Sequence, residues 1–98
     1  MKKNEENNFR PLLTVEQFKY ILIQNGVSQA ALSRTMERED GFVNHTLARL
    51  PDTQFVFVYF VDELIKITGE TNFYTAIRHW NKTHDKEDRI SLTPDDDN

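Results

Sequence analysis

Apolar residues recur at helical spacing in five successive stretches of this chain, with short polar breaks between them. Val15, Phe18, Ile21 and Leu22 line one side of the first stretch, the spacing of a helix with one buried face. Gln29, Leu32 and Met36 mark the edge of the second, and Phe42, Val43, Leu47 and Leu50 resume the pattern in the third. The fourth, QFVFVYFVDELIKI over residues 54–67, opens with residues that favour strands. Its Phe57, Phe60, Val61, Leu64 and Ile67 nevertheless form a helical stripe, and fourteen residues is long for a strand and ordinary for a helix. Phe73, Ile77 and Trp80 make the fifth stripe. The pattern predicts an all-α fold of five helices.

The breaks carry recognisable chemistry. Thr14 and Gln17 form a Thr-x-x-Gln capping box, and Leu13 is placed to staple onto Phe18. Asn25-Gly26 ends the first helix, with Gly26 in the left-handed cap position. Ser28 caps the second, with Val27 stapling to Leu32. Asp40 is expected to start the third helix, from Gly41 or Phe42 to Arg49, and Pro51 to stop it. Gly69 ends the fourth, and Thr71 caps a fifth running from Asn72 to about Lys82. Residues 1–10 then read as a flexible arm, 11–82 as the helical domain, and 83–98 as a disordered acidic tail.

The two central helices resemble a known family. GVSQAALSRTMEREDGFVNHTL, from Gly26 to Leu47, is similar to the helix-turn-helix of lambda-repressor-like (Xre/Cro) regulators. In that family a Gln opens the second helix, a Leu and a small residue follow, a Gly makes the turn, and an apolar residue anchors the recognition helix. Gln29, Leu32, Ser33 and Val43 fit those places, and Glu37 stands where the glycine is expected. A side chain in a left-handed turn position costs roughly 1 kcal/mol, so the turn is expected to be reshaped and shifted toward Asp40-Gly41. The resemblance implies a sequence-specific, double-stranded DNA-binding regulator with the third helix in the major groove.

Charge complicates that expectation. Residues 10–82 carry eight acids and eight bases, while residues 83–98 carry six acids against Lys86 and Arg89. A neutral domain lacks the basic face usual in nucleic-acid binding. Cysteine is absent, which removes disulfide frameworks and zinc fingers from consideration. No apolar run approaches the roughly 20 residues of a membrane span, and MKKNEENNF is followed by no apolar signal region. A cytoplasmic protein with no membrane partner is expected.

No catalytic, metal or cofactor site emerges from the spacing. The three glycines form no phosphate loop, His79 and His84 are five residues apart, and the adjacent Asp62-Glu63 pair splays on a helix. The expected function is therefore binding, without enzymatic activity. DNA-contacting candidates are Gln29, Arg34, Arg38, Gly41, Asn44, His45 and Arg49, with Asp40 and Ala48 on the same outer face. Asn44 carries the amide that bonds both N6 and N7 of adenine. Phe55, Val58 and Tyr59 lie outside the inward stripe of the fourth helix and are the expected homodimer surface. The alternative is a phage or mobile-element interaction module whose acidic surface, with Glu37, Glu39 and Asp40 at the turn, occupies a basic protein partner.

Overall fold

A computed structural model describes residues 9–92. Among the described residues five helices carry the fold: α1 (Val15–Gln24), α2 (Gln29–Thr35), α3 (Phe42–Arg49), α4 (Val58–Thr68) and α5 (Glu70–Thr83), followed by a 3-10 turn at Lys86–Asp88. Among the described residues there is no strand, and no helix is long and apolar enough to cross a membrane. α1 packs on α5, α5 on α4, α4 on α2, and α2 on α3. One core of buried residues runs through all five, from Leu13 and Phe18 through Leu32, Val43, Leu47, Phe60 and Leu64 to Phe73, Ile77 and Trp80.

Local chemistry sets the first two helices. Thr14 Oγ1 accepts from the Gln17 amide at 3.1 Å and Gln17 Oε1 accepts from the Thr14 amide at 2.9 Å, completing the capping box. Ser28 Oγ accepts from the Ala31 amide at 2.9 Å. Gly26 takes φ +67° after α1, as its cap position requires.

Two helix starts differ from the sequence expectation. α4 begins at Val58 and not near Gln54. The strand-like start of that run stays extended, and Val56 donates its amide to the Leu13 carbonyl at 2.8 Å while its side chain enters the core. Phe57, expected on the inward stripe, becomes the half-buried N-cap residue. α5 begins at Glu70 without a side-chain cap from Thr71. Gly69 alone separates it from α4, at φ +90° and ψ 144°, a backbone region essentially confined to glycine.

The ordered chain also continues past the boundary expected at Thr83. Residues 84–92 fold back along α1 and α5. The Asp88 carbonyl accepts from Gln17 Nε2 at 2.8 Å and from Trp80 Nε1 at 2.7 Å. Asn81 holds Ile90 through both of its amide atoms, and Ile90 is buried. The remaining residues of the expected tail, 93–98, and residues 1–8 of the expected arm lie outside the described residues. Arg10 is ion-paired with Asp62, which ties the start of the described chain to α4. Beside it, burial raises the Tyr74 hydroxyl above its ordinary pKa of 10.0, with Arg10 opposing and Glu70 reinforcing the shift.

The turn between α2 and α3 departs most clearly from expectation. It does not move toward Asp40-Gly41, because Gly41 sits at φ −87° while Glu37 itself adopts φ +60°. Arg38 donates its amide to the Ser33 carbonyl at 3.0 Å and Glu37 to that of Arg34 at 2.9 Å. This pair of bonds is the Schellman arrangement that satisfies the last carbonyls of a helix. The carbonyls of α2 thus hold Glu37 in a conformation its own Cβ disfavours. Glu37→Gly is expected to stabilise the fold by about 1 kcal/mol, read as a higher denaturant midpoint. An unchanged or lower midpoint would show that the left-handed residue carries no such cost.

Candidate nucleic-acid interface

The α2–α3 unit is built around Ser33, a fully buried polar residue. Its hydroxyl donates to the Gln29 carbonyl at 2.9 Å and accepts from the Val43 amide at 3.0 Å. α3 has no side-chain cap of its own, either from Asp40 or from its N-cap Gly41. Ser33 supplies that function from ten residues away, satisfying one of the open amides at the helix start. Val43 and Leu47 turn inward with it. α3 is therefore pinned to α2 along its inner side.

The outer side stands bare. Asn44, His45, Ala48 and Arg49 are exposed. The His45 ring lies over the backbone of half-buried Gly41, so near that a Cβ there would stand 3.2 Å from the ring. Arg38, Glu39, Phe42, His45, Thr46 and Arg49 line an open groove of about 370 Å³ along α3. The Arg38 guanidinium sits 3.9 Å from the centre of the Phe42 ring, a cation–π arrangement. Arg34 pairs with Asp40 at 3.1 Å across the turn.

Of the seven candidate contacts, Arg38, His45 and Arg49 thus share one groove, Gly41 lies half-buried beneath His45, Asn44 projects from the same helix, and Arg34 flanks it in an ion pair. Gln29 stands apart: it is half-buried, and its side-chain oxygen is enclosed with no hydrogen-bond partner among the described residues. Phe42, Glu39 and Thr46 join the groove; in sequence Phe42 belongs to the apolar stripe and Glu39 to the acidic turn, and nothing marks Thr46. Phe42 follows the spacing of Val43 and Leu47 and does pack on the core, its ring 5.8 Å from that of Phe60, while also lining the groove. Three arginines (Arg34, Arg38, Arg49) face three carboxylates (Glu37, Glu39, Asp40), so the surroundings of α3 are balanced in charge.

A second exposed feature lies at the start of α4. Phe55, Val58 and Tyr59 are about half exposed, at 46 %, 53 % and 53 %. The Phe57 ring stacks on Tyr59 with centroids 5.8 Å apart. Leu12, 56 % exposed, precedes the residue whose carbonyl holds Val56; in sequence it reads only as part of a Leu-Leu pair. The remaining histidines are drawn into packing. His79 meets the Tyr20 hydroxyl at 2.6 Å, and His84 stacks on Trp80 with centroids 3.6 Å apart. Among the described residues no group of three or more His, Cys, Asp or Glu is arranged to hold a metal ion.

These features define a small all-α domain with an exposed polar helix face and a separate apolar patch. Compared with protein-family models, curated proteins and solved structures, the chain matches none.

Proposed function

We propose that this chain is a small DNA-binding transcriptional regulator of the lambda-repressor-like helix-turn-helix kind, acting as a homodimer on double-stranded DNA in the cytoplasm. The observation carrying this reading is the pinned α3, held from within by Ser33 and Leu47 while Asn44, His45, Ala48 and Arg49 stay outward. A helix that is polar outside and rigid beneath is what entry into a major groove requires. In this reading Asn44 reads adenine through its amide, His45 adds a hydrogen bond, and Arg38 and Arg49 meet phosphates. A second copy joined through Phe55, Val58 and Tyr59 would set the spacing of two half-sites.

The second reading, a module that captures a basic protein, is favoured by the Arg34–Asp40 pair and the balanced charge around α3. Such a face gains little from counterion release on DNA. Selection of bound sequences from a random duplex pool at near-physiological salt separates the two. An enriched motif is expected, and Asn44→Ala should weaken binding to it by about 1–3 kcal/mol. No enriched motif, with all binding lost at moderate salt, would leave the protein-partner reading.

Association is tested separately. Tyr59→Glu places an unpaired charge in the proposed contact and is expected to give a folded monomer by sedimentation equilibrium, against a dimeric wild type. A wild type that is monomeric at high concentration removes the dimer.

A further inference from the structure

We infer that Asp40 is an internal stand-in for a DNA phosphate at Arg34, so that duplex binding through α3 exchanges a carboxylate for a phosphate. This rests on the DNA-binding reading above. Arg34 lies in the last turn of α2 and Asp40 just ahead of α3. Their side chains meet at 3.1 Å across the turn, 58 % and 67 % exposed. The partners are fixed from both sides. The bonds from Arg38 and Glu37 back to Ser33 and Arg34 lock the end of α2, and the Ser33–Val43 bond locks the start of α3. The ion pair therefore bridges two anchored elements and not two loose loops.

Its exposure makes it weak and open to competition. A phosphate, approaching the face from which Asn44 and His45 project, offers the guanidinium the same charge-assisted hydrogen bonds. When Arg34 changes partner, Asp40 is left bare beside a polyanion and takes up a cation from solution. That uptake offsets one counterion released from the DNA, so the gain that drives non-specific binding is reduced. Sites where base contacts add to phosphate contacts still bind. Asp40 thereby suppresses binding to random sequence. Arg38 differs, since its guanidinium rests on the Phe42 ring and keeps its charge without a carboxylate partner in that contact.

The experiment is a salt series of binding to a random-sequence duplex, followed by fluorescence anisotropy. The proteins are wild type, Asp40→Asn, Arg34→Gln, the double variant, and Glu70→Gln as an equal charge change at the start of α5; helical circular dichroism verifies that each is folded. Asp40→Asn is expected to tighten binding about two- to fivefold at moderate salt. It should also steepen the log–log salt slope by about 0.9. In the Arg34→Gln background, where Asp40 is bare before DNA arrives, the same change is expected to have a clearly smaller effect on both, through plain repulsion alone, and Glu70→Gln to do neither. An effect of Asp40→Asn that persists undiminished without Arg34 would overturn the exchange, because it would then be plain repulsion between Asp40 and DNA. A wild type that selects a motif but is indifferent to Asp40→Asn overturns the exchange alone. Failure of every protein to bind duplex even at low salt overturns the DNA reading together with it.

Discussion

Phe60→Ala is expected to lose about 3–5 kcal/mol of stability, the usual cost of emptying a buried aromatic site. Phe60 is fully buried and joins the rings of four other residues. Its centroid lies 6.0 Å from Phe18 on α1, 5.8 Å from Phe42 on α3, 6.0 Å from Phe57 and 5.0 Å from Tyr59. Three helices thus converge on one ring, and rings of that size cannot collapse into the space it leaves. Folded domains of this size hold only about 5–15 kcal/mol in total, so the variant should melt far below wild type. Denaturant unfolding measures the loss; a difference under about 1 kcal/mol would mean that Phe60 does not hold the helices together.

Leu47→Ala is expected to lose roughly 2–5 kcal/mol, with a different signature. Leu47 is one of two buried residues on α3, the other being Val43, and α3 packs chiefly on α2. Removing its side chain should loosen α3 ahead of the rest. Faster hydrogen exchange at α3 amides than at α1 or α5 amides would report this. Ala48, its exposed neighbour, serves as the contrast: Ala48→Ser is expected to stay within about 0.5 kcal/mol. Equal loss at both positions would mean that α3 does not face the core with Val43 and Leu47.

The two variants also separate fold from function. Phe60 lies beneath the apolar patch, in ring contact with Tyr59, while Leu47 lies beneath the outward face that carries Asn44 and Ala48. If α3 reads DNA, Leu47→Ala should lose sequence selectivity before it loses helix content, because base contacts need the helix held in register.

What the chain determines by itself is whatever neighbouring residues settle between them. Thr14 with Gln17, and Ser28 with Ala31, are three residues apart and form their caps without a distant partner, so α1 and α2 start where they are expected. The apolar stripes that bury Leu32, Val43, Leu47, Phe60 and Leu64 are equally local, since helical periodicity alone assigns the inward face. Exposure of Asn44, His45, Val58 and Tyr59 follows from the same periodicity by subtraction, whereas Phe55 is exposed in the extended segment ahead of α4, next to buried Val56. Tertiary structure decided the rest through partners far apart in the chain. Ser33 was readable only as a small residue, yet it caps α3 from ten positions away. Val56 leaves the helical run because the Leu13 carbonyl, 43 positions earlier, offers its amide a bond. Ile90 and Leu92 stand in a polar stretch with no helical period to mark them, and Ile90 is buried because Asn81, Gln17 and Trp80 hold the backbone around it. Glu37 keeps the left-handed turn against its own preference, since the two amide bonds that close α2 outweigh the roughly 1 kcal/mol its side chain costs there.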